Sequence, residues 1–124
     1  MKAHVLVVED SQTQALRLRL MLQRAGLSTV VANTGHDGIA MAKELSPQVV
    51  VLDVNLPDID GFEVCRRLKQ QPATAEIPII MLTVKDRALD TLAGLESGAE
   101  AYIPKDEFAE ANLLQSLRDL RILS

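Results

Sequence analysis

Five short apolar runs, separated by longer amphipathic stretches, constrain this chain more than any other feature. The runs are Val5–Val8, Ser28–Ala32, Val49–Leu52, Ile79–Leu82 and the weaker Ala101–Ile103. They are brief and mostly β-branched, which favours strand over helix. Strands apolar on both faces belong in a sheet covered by helices on both sides. The intervening segments carry helical spacing. Ser11 is the expected N-cap of a helix running to Ala25, with Gly26 as its stop and Ala15, Leu18, Leu22 and Ala25 on one face. A second helix is expected over 35–45, ending before Pro47. A third starts near Gly61 with Phe62, Cys65 and Leu68 inward. A fourth covers about 86–97 and stops at Gly98. The last follows Asp106 as cap, with Leu113, Leu114, Leu117 and Leu120 inward. Strand and helix alternating in this way predict an α/β fold, a parallel sheet with right-handed crossovers between two helical layers.

At 124 residues the chain is expected to be one domain, residues 1–124. Thirteen basic against seventeen acidic side chains leave a net charge of −4, which argues against direct nucleic-acid binding and against anionic membrane surfaces. Aromatic residues are 2% of the chain, too few for base-stacking platforms. The single cysteine, Cys65, cannot form an internal disulfide and fits a reducing cytoplasm. No apolar run approaches the roughly 20 residues needed to cross a bilayer. In MKAHVLVVED the carboxylates arrive too early for a signal peptide.

In a parallel sheet the ligand site lies beyond the carboxyl ends of the strands, so the residues there carry the chemistry. Glu9 and Asp10 follow the first run and Asp53 the third, with Asn55 just beyond; Thr83 follows the fourth and Lys105 the fifth. If the sheet order places these ends together, three neighbouring carboxylates repel one another in low dielectric, and a divalent cation removes that cost. All-oxygen ligands select a hard ion such as Mg²⁺. A carboxylate beside a metal, an ammonium and a hydroxyl can accept a phosphoryl group, the positive charges neutralising the phosphoryl oxygens. Each residue alone has a plainer role: an Asp after a strand is usually a turn or cap, Thr83 a β-former, Lys105 a solvated charge. The set of four strand ends is far more specific than its members.

The stretches VLVVEDSQTQ, VVVLDVNLPDIDGFEVCRRLK, IPIIMLT and GAEAYIPK resemble the receiver domain of two-component response regulators, in that family's order and over nearly the whole chain. The resemblance implies a three-layer α/β/α sandwich with a five-stranded parallel sheet in flavodoxin-like order 2-1-3-4-5. It implies that Asp53 is the phosphoacceptor, with Thr83 and Lys105 contacting the phosphoryl group. Mg²⁺ would be held by Asp10, by Asp53, by the backbone carbonyl of Asn55, and by Glu9 through metal-bound water. Thr83 and Tyr102 would form the switch, altering the surface of the fourth helix, fifth strand and last helix. The implied donor is a phosphohistidine on a histidine kinase or phosphotransfer protein. The output is a downstream effector or a linked domain, and a homodimer is compatible with it.

Three departures from the family pattern carry expectations. Glu9 stands where an Asp is usual, and its extra methylene should shift a metal water without abolishing binding. Asp106 follows Lys105 where many members have a cis proline. A cis bond without proline costs about 2.5–4 kcal/mol, so a trans Lys105–Asp106 bond is expected, with Asp106 capping the last helix. Pro104 suits an edge strand. Val84 is bulkier than the usual residue after Thr83, which predicts slower attack by water and by bulky donors. Asn55 and Lys85 flank the expected path of the hydrolytic water.

His4 and His36 have no metal-ligand partner at suitable spacing and read as surface residues. Cys65 reads as helix packing, Met21, Met41 and Met81 as core filler, and Arg66, Arg67, Arg118 and Arg121 as solvated faces. Three other functions compete. A haloacid-dehalogenase-like phosphatase would want a second acid at Asn55. A degenerate receiver would serve only protein contacts. A flavodoxin-like cofactor binder would need a phosphate-cradling loop where Glu9 and Asp10 stand.

Overall fold

The computed structural model describes residues 4–84 and 97–124, with the side chain of Val84 left aside. The expected helix over 86–97, Lys85 and the reading of the Val84 side chain lie outside the described residues. The element order is β1 (Val5–Val8), α1 (Gln12–Arg24), β2 (Thr29–Ala32), α2 (Gly35–Leu45), β3 (Val49–Asp53), α3 (Gly61–Gln70), β4 (Ile79–Val84), β5 (Ala101–Lys105) and a C-terminal helix (Ala109–Asp119). All strand pairs are parallel and the sheet order is β2-β1-β3-β4-β5. The expected α/β sandwich and its strand order are therefore both present.

Alternation along the strands divides the core in two. Leu6, Val8, Val50, Leu52, Ile79 and Met81 pack with Val64, Cys65 and Leu68 of α3 and Ala42 of α2. Val5, Val7, Val49, Val51, Ile80 and Ile103 face the other way, onto Leu22 of α1 and Leu113 and Leu117 of the C-terminal helix. Every residue of β3 is buried, as a central strand covered on both faces requires. Cys65 is fully buried and its thiol donates to the Ser97 carbonyl at 3.3 Å, which bears out its packing role. Met81 is fully buried, while Met21 and Met41 pack at the core margins.

The helix ends follow their sequence signals. Ser11 caps α1 by accepting from the Gln14 N–H, and Gly26 takes φ 88° just beyond the helix. Thr34 and Asp60 cap α2 and α3 in the same manner. Pro104 lies in β5, which among the described residues pairs with β4 alone. The Lys105–Asp106 bond is trans, since the described residues contain no cis peptide. The expected cap is corrected. Phe108, not Asp106, holds the N-cap position of the C-terminal helix, without a side-chain cap bond. Asp106 sits in the preceding turn, its carboxylate accepting from the Phe108 N–H at 2.8 Å and its carbonyl from the Ala109 N–H at 3.1 Å. An aspartate bonding its own chain two residues on stabilises a turn as readily as it caps a helix. His4 is also less exposed than expected: its Nδ1 lies 2.9 Å from the Ser28 N–H, tying the starts of β1 and β2 together.

Candidate metal centre and phosphoacceptor site

Strand parity places the reactive groups. Glu9 continues the Val5, Val7 series, Asp53 the Val49, Val51 series and Lys105 the Ala101, Ile103 series. All three side chains therefore leave the sheet on the α1 face at its carboxyl edge. β1 and β3 are neighbours, so Glu9 and Asp53 stand side by side. Lys105 is two strands from Asp53, and its long stem crosses over Leu82, the register partner of Asp53, to reach it. The ammonium lies 3.0 Å from Asp53 Oδ2, 3.1 Å from Glu9 Oε1 and 2.8 Å from Gln14 Oε1.

Glu9, Asp10 and Asp53 each place a carboxylate oxygen within 4.8 Å of the others. Glu9 is 1% and Asp53 4% exposed, whereas Asp10 faces solvent. The Asn55 N–H donates to Asp53 Oδ1 at 3.1 Å, and the Ser11 N–H donates to Glu9 Oε2 at 3.2 Å. One ammonium thus serves two buried carboxylates, with a third acid beside them. The imbalance appears in their proton affinities. Burial, with a hydrogen bond to Asp53 and repulsion from its charge, raises the Glu9 pKa to about 7, against the pull of Lys105 and the Ser11 N–H. Burial opposes the Lys105 ammonium, but the hydrogen bond and charge of Asp53, with Glu9, outweigh it and hold the Lys105 pKa above its ordinary value. An all-oxygen donor set with surplus negative charge fits a hard divalent cation. It is electrostatically wrong for the phosphate loop of a flavodoxin-like binder.

The backbone behind Asp53 is fixed from two sides. The N-terminus of α3 lies directly on it: the Gly61 N–H donates to the Val54 carbonyl at 2.8 Å, and a Cβ on Gly61 would fall 2.8 Å from Val54 Cα. Only glycine allows that approach. From the loop between β3 and α3, Asp58 reaches across to α2. Its two carboxylate oxygens accept from the Gly35 and His36 N–H groups, both at 2.8 Å. Burial opposes its ionised form, but these N–H groups, with that of Ile59, prevail and lower its pKa to about 2. Asp58 therefore serves as a distant cap at the positive end of α2, and His36 stands exposed beside it at 3.8 Å.

The switch candidates occupy the other face. Thr83 is the residue after Leu82 on β4, buried at 2% exposure. Tyr102 shares the parity of Pro104 and packs against the α2–α3 core. Its hydroxyl is enclosed, with no hydrogen-bond partner among the described residues. The structure thus brings Glu9, Asp53 and Lys105 into direct contact with Asp10 alongside, and sets Thr83 one step beyond Asp53's partner. It engages Asn55 through its N–H.

Two residues were not singled out in the sequence. Gln14 is the acceptor closest to the Lys105 ammonium, and a Ser-x-x-Gln spacing from Ser11 was the available signal. Asp58 had no local signal, because its partners are 22 and 23 residues away. Gln14, Lys105 and Glu9 also line a cleft of ≈ 380 Å³ between α1 and the start of the C-terminal helix, with Arg17 and Glu110 at its sides.

Fold and site together define an α/β domain of flavodoxin-like strand order that gathers acids and a lysine at the ligand edge of its sheet. The chain belongs to the response regulator receiver domain family, whose model matches residues 5–118. It is similar to the transcriptional regulatory protein AfsQ1 of Streptomyces coelicolor, 44% identical over 82% of this chain, and spans 44% of that protein's length. It is also similar to protein PilH of Pseudomonas aeruginosa, 37% identical over 83% of this chain and 85% of PilH. Among solved structures, chemotaxis protein CheY4 of Vibrio cholerae aligns over 97% of this chain and 99% of its own, at 30% identity and a TM-score of 0.86. The receiver domain of the sensor histidine kinase PA1611 from Pseudomonas aeruginosa, which has a magnesium ion coordinated in its active-site cleft, aligns over 97% and 98% at 25% identity and the same TM-score. No helix among the described residues is long and apolar enough to cross a membrane.

Proposed function

We propose that this receiver takes a phosphoryl group on Asp53, with Mg²⁺ held by Asp10, Asp53, the Asn55 backbone carbonyl and, through water, Glu9. The observation that carries this reading is the cluster itself: three carboxylates within 4.8 Å of one another, two of them buried, against one ammonium, that of Lys105, among the described residues. Such a cluster is costly without added positive charge and useful with it. When bound, the ion supplies charge that offsets repulsion between the carboxylate nucleophile and the incoming phosphoryl oxygens.

The chain's own residues do the rest. The Asn55 N–H on Oδ1 and the Lys105 ammonium on Oδ2 hold the Asp53 carboxylate in one orientation. In the transfer, the P–N bond of a phosphohistidine donor breaks and a P–O bond to Asp53 forms. Lys105 then pairs with phosphoryl oxygen instead of bare carboxylate, and Thr83 offers its hydroxyl to another. Tyr102 is already packed inward, with its hydroxyl enclosed; movement of Thr83 opens space beside it, lets the ring repack, and alters the fifth strand and its flanking helices. Phosphorylation shifts that equilibrium only to the extent that the phosphoryl group binds the altered form better.

The partners that follow are a histidine kinase or phosphotransfer protein as donor, and a protein effector or linked output domain as recipient of the signal. The domain, residues 1–124, acts in the cytoplasm as a signalling module that catalyses only its own phosphorylation and dephosphorylation. Acetyl phosphate tests the reading. Wild type should gain one phosphoryl group by mass spectrometry, only with Mg²⁺ present, and Asp53→Ala none. Equal labelling of the two proteins would overturn the assignment. Multiple turnover of a phosphomonoester would favour the phosphatase reading instead.

A further inference from the structure

We infer that Gln14 is a positioning residue for Lys105, an inference that rests on Asp53 being the phosphoryl acceptor. Gln14 is the third residue of α1, and its own N–H takes the Ser11 cap. In a Ser-x-x-Gln capping box the glutamine side chain folds back onto the N–H of the capping serine. Here that N–H is already taken by Glu9 Oε2 at 3.2 Å. The Gln14 amide is therefore released from its usual task, and its Oε1 lies 2.8 Å from the Lys105 ammonium.

An ammonium has three protons to donate. Among the described residues the three acceptors are Glu9, Asp53 and Gln14, at 3.1, 3.0 and 2.8 Å. Two of them are acids assigned to the metal and the phosphoryl group, and both must change partners when the site is used. Gln14 alone has no other assignment. It is neutral, so it does not compete with the phosphoryl oxygens for the charge of Lys105. It is also anchored on a helix whose first turn is capped. The amide carbonyl thereby holds the ammonium over the sheet edge while the acids exchange partners, and it limits how far a long, partly exposed lysine can swing toward the open cleft beside it.

The test compares Gln14→Met, which keeps length and loses the acceptor, with Gln14→Glu, which keeps an acceptor. Two readouts are taken: the ¹⁵Nζ–¹H signal of Lys105 in the metal-free, unphosphorylated protein, and the rate of phosphorylation by acetyl phosphate with Mg²⁺. A charge-assisted hydrogen bond supports an effect of about tenfold on the rate. Gln14→Met is expected to speed proton exchange at Lys105 Nζ and to slow phosphorylation about tenfold, while Gln14→Glu keeps the Nζ signal protected. A Gln14→Met protein phosphorylated within about twofold of wild type overturns the inference, whatever the Nζ signal does. A wild type that Asp53→Ala matches in labelling would instead bring down the acceptor assignment, and this inference with it. The two failures are therefore distinguishable.

Discussion

The acid cluster predicts that this domain, stripped of metal, loses stability as the pH rises. Glu9 is nearly fully buried and shares one ammonium with Asp53, and its pKa in the fold stands at about 7 against an ordinary 4.5. A carboxyl whose folded pKa is raised binds its proton more tightly in the native state than in the unfolded chain. Its contribution is therefore fully present below pH 4.5 and is lost as the pH climbs through 7. The rise in pKa corresponds to an upper figure of roughly 3 kcal/mol between those limits. Glu9→Gln places a neutral isostere there and should abolish the effect. Urea denaturation in EDTA, at pH 5 and at pH 8, checks it. The variant and wild type should be nearly equal at pH 5, where Glu9 is mostly protonated. At pH 8 the variant should be the more stable by about 2–3 kcal/mol. Mg²⁺ should close most of that gap by stabilising wild type, because a ligand that binds only the native state adds to its stability. A wild type with a pH-independent midpoint, or a variant less stable than wild type at pH 8 in EDTA, would refute the picture of a cluster short of positive charge.

Further outcomes follow from the supports around Asp53. Asp58→Ala should lower the melting temperature at neutral pH by removing the acceptor for two N–H groups of α2. Since the folded pKa of Asp58 is depressed to about 2, the difference from wild type should vanish as the pH falls from about 4 toward 2, as read by thermal melts across that range. Gly61→Ala should cost about 1–3 kcal/mol in urea denaturation, because its Cβ has no room against the Asp53–Val54 backbone. It should also slow phosphorylation by displacing the acceptor.

The sheet was legible because its strands announce themselves. Val5–Val8 and Val49–Leu52 are apolar on both faces, a pattern that a sheet covered on both sides satisfies. The site was legible for a related reason. Acids and a lysine directly after such strands must lie on one edge of the sheet, and the strand order implied by the receiver resemblance is what brings Glu9, Asp53 and Lys105 together there. Strand parity, which separates these three from Thr83 and Tyr102, was equally present in the sequence. The parts that were not legible depend on competition between alternative bonds. Asp106 had the composition of a helix cap, but the turn ahead of the C-terminal helix captured it and left the cap position to Phe108. Gln14 had the spacing of a capping box, but Glu9 took the serine N–H first and freed the amide for Lys105. Asp58 belongs to α2 in function and to the loop after β3 in sequence, and no local pattern encodes a bond across 22 residues.

The idea beneath these expectations is that Glu9, Asp10 and Asp53 form one cation site. Titration of the metal-free protein with Mg²⁺, followed by backbone amide NMR, tests it most directly. Saturable shifts should be centred on residues 9–11 and 53–55, and Asp10→Asn should weaken binding by at least about tenfold. Amides that stay in place through millimolar Mg²⁺, or an Asp10→Asn protein that binds as wild type does, would contradict the account.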